Sequence, residues 1–136
     1  MKSIVKVIIF ILIIGLIILI PLLVYSSYLT YRYTKYNELI GHYELVSGSG
    51  LNELDINLTN WSMGKKEDLR CDLWNCVGYE EGKSYNTYDN KIQFHYNSKG
   101  YVEYKYEITN ENGKTYLILQ TSNAYETTSN KYEKIK

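Results

Sequence analysis

Two cysteines, Cys71 and Cys76, are the residues whose type and spacing first suggest chemistry. Their C-x₄-C spacing differs from the two-residue spacing of redox motifs, and a zinc site would need two further ligands. An even cysteine count in an extracytoplasmic segment favours a single structural disulfide, with free thiols or metal and redox chemistry as the alternatives. The bridged loop would display Trp74, either as a contact anchor for a partner or as a side chain tucked back onto the domain.

Imidazole and carboxylate groups offer no convergent catalytic set in this sequence. We expect His42 and His95 on outward strand faces, where the neighbouring residues supply no group that would orient a catalytic base. Glu80 and Glu81 are adjacent, so on an extended chain they point in opposite directions and cannot act as a glycosidase pair. We expect both to flank a turn at Gly82. The sequence therefore predicts a protein that is not an enzyme and has neither a cofactor nor a metal site.

The N-terminal segment Val7–Val24 contains no charged and no hydrogen-bonding side chain. At about 1.5 Å per residue, a helix of this length spans roughly 27 Å, close to the hydrocarbon thickness of a bilayer. A soluble helix of this length would carry a polar stripe, which is absent here. The segment is therefore predicted to insert into a lipid bilayer.

A signal anchor is favoured over a cleaved signal peptide, because the apolar run exceeds the usual secretory length and no Ala-x-Ala site follows. Cleavage near Ser26, which would give a secreted protein, is the alternative. The charge pattern gives a slight preference for a cytoplasmic N-terminus. Five tyrosines follow the apolar run, either as an interfacial belt or as part of a helical stalk. We divide the chain into an anchor (1–25), a juxtamembrane stalk (26–37) and an extracytoplasmic domain (38–136).

The formal net charge of the chain is zero, with fifteen basic and fifteen acidic side chains. Residues 1–30 hold only two of the bases, Lys2 and Lys6, whereas every acidic residue lies at Glu38 or later. The remainder is slightly acidic, which excludes a strongly basic surface. Nucleic acid is therefore not an expected partner, since its binding requires such a surface.

Residues 38–136 show the pattern of an antiparallel β domain, with glycine and asparagine between short alternating runs. Gly41–Ser47 is one such run. Leu54, Ile56 and Leu58 alternate with polar residues in the clearest period-two segment of the chain. The residues from 60 to 90 show no clear strand pattern.

Three later strands predict a meander. Lys91–Tyr96 and Tyr101–Ile108 would be joined by a three-residue loop, Ser98-Lys99-Gly100, which would place Phe94 opposite Tyr104. Asn112-Gly113 is a strong hairpin signal. It would pair Ile108 with Leu117 and Tyr106 with Leu119, leaving Tyr116 and Ile118 on the outer face. A final run, Lys131–Ile135, would close the sheet.

Gly41-x-Tyr43 at the start of the first strand, Asn112-Gly113-Lys114 and the closing Tyr132-Glu133-Lys134-Ile135 resemble bacterial extracytoplasmic lipocalin-like domains of unknown function. The resemblance covers roughly residues 40–136, with tyrosine where the family's Gly-x-Trp motif has tryptophan. It implies a small β-barrel whose mouth binds a small apolar ligand, or a module of unassigned role.

These observations favour a membrane-anchored extracytoplasmic binding module for a small apolar ligand or an envelope component. Tyr104 and Tyr106, both on the inner face, are the expected ligand contacts. The alternative is a protein-interaction module, such as an immunity, inhibitor or assembly factor. Its contact patch would comprise Trp74, Tyr116 and Ile118.

Overall fold

The computed structural model describes residues 1–98, 100–122 and 126–136. The chain divides into two compact units, Met1–Asn37 and Glu38–Lys136. The first unit is a single helix, α1 (Lys2–Tyr36), of 35 residues. By length and composition this helix could cross a membrane. It includes the predicted apolar span and continues without a break through the predicted stalk, and Pro21 is accommodated inside it.

The second unit is built from strands, with one 3₁₀ turn at Lys66–Asp68. The strands are β1 (Gly41–Ser47), β2 (Glu53–Ile56), β3 (Trp61–Gly64), β4 (Arg70–Cys71), β5 (Cys76–Val77), β6 (Tyr79–Gly82), β7 (Ser84–Tyr88), β8 (Lys91–His95), β9 (Tyr101–Glu111), β10 (Lys114–Ser122) and β11 (Thr127–Lys134).

Nine of these strands form one antiparallel sheet in the order β6-β3-β2-β1-β11-β10-β9-β8-β7, and β4 pairs with β5 separately. Strands β6 and β7 lie at the two edges of the sheet, although only Lys83 separates them in the chain. The sheet must therefore curl until its edges approach each other. The result is a nearly closed antiparallel barrel, which confirms the predicted mainly-β class with an N-terminal apolar helix.

Trp61 closes the seam between the two edges. Its strand, β3, pairs with β6, yet its indole N–H donates to the backbone carbonyls of Ser84 in β7 (3.0 Å) and His95 in β8 (3.1 Å), on the other side of the seam. The side chain is 1 % exposed, and its ring centroid lies 4.9 Å from that of Phe94. A single side chain thus joins both edges of the sheet by hydrogen bonds and by packing.

Gly82, opposite Trp61, permits this approach. A Cβ atom at Gly82 would lie 1.8 Å from the carbonyl oxygen of His95 and 2.4 Å from the indole nitrogen of Trp61. Both distances are far below van der Waals contact, so a side chain cannot be placed there without movement of the backbone. Glycine is required at this position because the two edges approach closely, not because of its backbone dihedrals.

The barrel interior is filled by alternate side chains of the strands, as the period-two pattern predicts. The fully buried residues combine aromatic and aliphatic groups and come from both halves of the sheet. They include Trp61, Tyr43, Tyr85, Tyr132, Phe94, Leu54, Ile56, Ile92, Leu117 and Leu119.

The hairpin at Asn112-Gly113 has the predicted register. Ile108 pairs with Leu117 and Tyr106 with Leu119. Asn112 and Gly113 both have positive φ, 53° and 78°, as a two-residue type I′ turn requires. The final strand, β11, begins earlier than expected, at Thr127.

The register predicted for the preceding hairpin was wrong by two residues. Phe94 pairs with Val102 rather than with Tyr104, and Ile92 pairs with Tyr104. The last pair of this hairpin is His95 with Tyr101, so the connection is longer than three residues. Within the connection, the Tyr96 N–H donates to the Gly100 carbonyl at 3.1 Å. The faces are unchanged, since a shift of two preserves the side-chain alternation. Lys99, in the predicted loop, lies outside the described residues.

Residues 60–90, which lacked a clear pattern, contribute β3, β6 and β7 to the barrel. Two of these strands have four residues each and the third has five. Such short strands contain too few alternations to be recognised from period alone. Strand β2 ends at Ile56, so Leu58 lies beyond it. The alternating run of Leu54, Ile56 and Leu58 therefore extends two residues past the strand.

Candidate functional site

A cavity of about 310 Å³ opens at the end of the barrel opposite Gly41. One wall is the β1–β2 loop, with Ser49, Gly50 and Leu51, and another is the segment Cys76–Gly78. This volume is at the lower end of the range for small-molecule sites, about 300–1,000 Å³. The cavity is the candidate binding site.

Strand β11 holds the β1–β2 loop in place. The side-chain oxygen of Asn130 accepts hydrogen bonds from the backbone N–H groups of Ser49 and Gly50, both at 2.9 Å. The Tyr132 hydroxyl donates to the Leu51 carbonyl at 3.0 Å. These bonds fix the loop without any ligand, so this wall of the cavity is formed in advance.

The floor of the cavity consists of inward side chains of the sheet. Met63 and Leu119 supply an apolar base, and Tyr104 adds an aromatic wall. Tyr104 was predicted as a ligand contact, and the structure puts it on this surface. Tyr106 faces the same side of β9, where it is half-buried and paired with Leu119.

Glu80 also lines this cavity. It pairs with Met63, which is buried, so the register of β6 directs Glu80 inward. Glu81 pairs with Ser62 and is exposed, and its carboxylate accepts a hydrogen bond from the Tyr79 hydroxyl at 2.8 Å. The expectation that the two carboxylates point in opposite directions is confirmed. The expected turn was wrong, because both residues lie within β6, which ends at Gly82.

The charge of Glu80 helps to raise the pKa of three tyrosines. Burial, followed by the negative charge of Glu80, raises the pKa of Tyr104 to about 12. The same two causes, in the same order, raise the pKa of Tyr132 to about 12. Burial also raises the pKa of Tyr96, and the nearby charge of Glu80 raises that pKa further. The phenols therefore stay protonated at neutral pH. Glu80 has these three aromatic side chains as neighbours.

A disulfide-closed hairpin projects from the same end of the barrel. Cys71 and Cys76 form the predicted disulfide and pair as the last residues of β4 and β5. At the tip between them, Leu73 and Trp74 are 92 % and 94 % exposed. Trp74 is thus displayed, and the alternative in which it tucks back onto the domain was wrong. We call Leu73 and Trp74 the hairpin tip.

Asp72 shapes this hairpin tip. Its carboxylate accepts hydrogen bonds from the backbone N–H groups of Trp74 (2.8 Å) and Asn75 (2.7 Å). These bonds lower the pKa of Asp72, with the Trp74 N–H as the largest cause. The carboxylate is therefore held ionised against the backbone of the hairpin tip.

His42 has an orienting carboxylate that its sequence neighbours did not reveal. Its Nδ1 atom lies 2.6 Å from an Asp55 oxygen, across the β1–β2 pair. His42, Glu44 and Glu53 each offer a potential metal-ligand atom, and these atoms lie within 4.8 Å of one another. Lys65 Nζ, 3.7 Å from Glu53, competes for that carboxylate. We assign no metal site to this outer surface.

The remaining predicted contacts lie on the outer face of β10. Tyr116 and Ile118 alternate with the buried Leu117 and Leu119, as expected, and both are half-buried. Lys131 Nζ lies 4.3 Å from the centroid of the Tyr116 ring and covers part of this surface. Tyr116 and Ile118 therefore belong to a different element from the hairpin tip. His95 is also turned outward, with its Nε2 atom 2.8 Å from the Asn86 side-chain oxygen.

No family model, curated protein or solved structure matches this chain. The resemblance to lipocalin-like domains therefore stays a prediction. The features of the β unit that bear on function are the cavity, Glu80 and the hairpin tip.

Proposed function

We propose that this protein is a binding module that takes a small, largely apolar ligand in the cavity at the barrel end. The observation that carries the proposal is a cavity of about 310 Å³ with a preformed loop wall and a floor of Met63, Leu119 and Tyr104. The lining is mixed: apolar and aromatic side chains form the floor, and Glu80, Asn130 and the β1–β2 loop add polar groups around it. The fully buried side chains of the described strands occupy the barrel interior, so we place the ligand at the mouth.

The test uses 2-phenylethanol, a neutral probe of suitable size, with the full chain in lipid nanodiscs and empty nanodiscs as the blank. Leu119→Phe adds volume to the cavity floor and is expected to weaken binding of the probe at least tenfold. Overpacking costs about 1–3 kcal/mol, so thermal unfolding must show that the variant remains folded. Saturation-transfer NMR measures the affinity.

Ile118→Phe is the matched control, because the neighbouring side chain points to the outer face of the same strand. It is expected to leave the affinity unchanged. Equal affinities for wild type and folded Leu119→Phe would contradict binding in this cavity.

We further propose that α1 anchors the module in a membrane and that residues 38–136 lie outside the cytoplasm. The apolar length of α1 supports the anchor. The disulfide Cys71–Cys76 supports the location, because disulfides persist in oxidising compartments. A protease added to intact cells is expected to degrade the β unit, and protection of this unit until lysis would contradict the location.

A second candidate function is supported by the hairpin tip. Two large apolar side chains held on a disulfide-closed loop suit an apolar pocket on a partner protein. We favour a protein over a lipid surface, because burying the ionised Asp72 carboxylate beside Trp74 in hydrocarbon would be costly.

The interaction is expected to give a complex of higher mass on native gels of the source membrane. The double variant Leu73→Ala, Trp74→Ala should then migrate as the free chain. Val46→Ala, another exposed apolar position, should leave the complex intact. A complex that survives the tip variant would eliminate this second function.

A further inference from the structure

We propose that Glu80 makes the barrel-end cavity selective for a ligand that carries an ammonium group on a small apolar body. This inference rests on the proposed function and adds the chemical class of the ligand. The expected ligand is then no longer purely apolar, because a carboxylate forms part of the cavity lining.

The position of Glu80 is determined by strand register. A row of paired positions crosses β1, β2 and β3, and its members are Tyr43, Leu54 and Met63, all buried. Glu80 is the next position in this row, on β6. On β1, β2 and β3 the members of this row are apolar or aromatic and face the interior, whereas Lys134 continues the row on β11, opposite Tyr43. A carboxylate that faces the interior is uncommon. Glu80 is therefore more informative about function than an exposed carboxylate would be.

The charge of Glu80 is not neutralised by the wall of the cavity. Among the described residues that line it, Glu80 is the one charged side chain. A fully apolar ligand would cover the carboxylate without replacing its water, which is unfavourable. A ligand ammonium group would instead form a charge-assisted hydrogen bond, the stronger kind.

The tyrosines complete a surface suited to a cation. The hydroxyl of Tyr132 is already used, since it donates to the Leu51 carbonyl at 3.0 Å. No described hydrogen bond joins Glu80 to another residue of the lining, so its carboxylate can accept a hydrogen bond from a ligand. Aromatic rings attract cations through their faces. Tyr104 and Tyr132 both line the cavity, so a cation at Glu80 would have aromatic neighbours.

The experiment compares three probes on the full chain in nanodiscs: 2-phenylethylammonium, 2-phenylethanol and 3-phenylpropanoate. They share the apolar body and differ in the polar group. The ammonium probe is expected to bind about tenfold to a hundredfold more tightly than the alcohol, as for a hydrogen bond to a charged group, and the carboxylate probe most weakly.

Glu80→Gln removes the charge but keeps the size of the side chain and a carbonyl acceptor. It should abolish the preference for the ammonium probe over the alcohol. An unfolding temperature equal to that of the wild-type chain shows that the variant remains folded. Glu81→Gln, the neighbouring carboxylate on the outer face, is the matched control and should keep the full preference.

The outcomes separate this inference from the proposed function. If the alcohol and the ammonium probe bind wild type equally, the cavity stands as a ligand site and the role of Glu80 is overturned. If Glu80→Gln and Glu81→Gln reduce the preference equally, the effect is one of general surface charge and the inference is again wrong. If none of the probes binds, the proposed function and this inference both fail.

Discussion

Replacing Trp61 with alanine is expected to lower the free energy of unfolding of the β unit by about 3–5 kcal/mol, the usual cost of deleting a buried tryptophan. Folded domains have only about 5–15 kcal/mol in total. The variant loses the packing against Phe94 and also the two hydrogen bonds that join the edges of the sheet. The carbonyls of Ser84 and His95 then lack their indole donor.

Trp74→Ala is the matched control, since it removes the same side chain from a position that is 94 % exposed. It should change the free energy of unfolding by no more than about 0.5 kcal/mol. Urea denaturation of the full chain in nanodiscs, followed by circular dichroism in the strand region, measures both variants. If the two variants unfold at the same urea concentration, Trp61 does not close the barrel.

Gly82→Ala is expected to destabilise the β unit by about 3 kcal/mol, the upper end of the usual cost of overpacking. The added Cβ would lie 1.8 Å from the His95 carbonyl oxygen, which is a backbone atom and cannot rotate away. The strand edges must therefore separate. Because the same Cβ also meets the Trp61 indole at 2.4 Å, the effects of Gly82→Ala and Trp61→Ala are expected to be non-additive.

Lys83→Ala provides the comparison for Gly82→Ala, because Lys83 is the exposed neighbour in the same connection. Its unfolding midpoint should match that of the wild-type chain. Denaturant midpoints with an unchanged slope would show that stability, and not the denatured state, has changed. A Gly82→Ala chain as stable as Lys83→Ala would mean that the seam tolerates a methyl group.

The parts of the fold that depend on local chemistry could be predicted from the sequence. Asn112-Gly113 determines both the turn and the register of its hairpin, because two residues with positive φ leave one arrangement of the strands. The hairpin before it shows the limit. Alternation predicted its faces correctly, but the loop length determined the register, and a shift of two residues is invisible to a period of two.

The candidate site depends on long-range pairing, which the sequence alone could not supply. Glu80 is inward only because β6 pairs with β3, a short strand without a recognisable pattern. His42 meets Asp55 only through the pairing of β1 with β2. The alternation rule did show that Glu80 and Glu81 diverge. It could not say which of them faces the interior.

The exposure of Trp74 was also beyond prediction from spacing. Both positions, displayed or tucked back, fit a disulfide-closed loop. In the structure Asp72 caps the backbone of the hairpin tip, and Leu73 and Trp74 remain exposed.

The most direct test of ligand binding at the barrel end is an NMR measurement of nuclear Overhauser contacts between bound 2-phenylethylammonium and the full chain in nanodiscs. We expect contacts from the phenyl protons to the methyl groups of Met63 and Leu119, and from the protons beside the ammonium group to Glu80. Contacts confined to Leu73 and Trp74, or to the lipid alone, would contradict it.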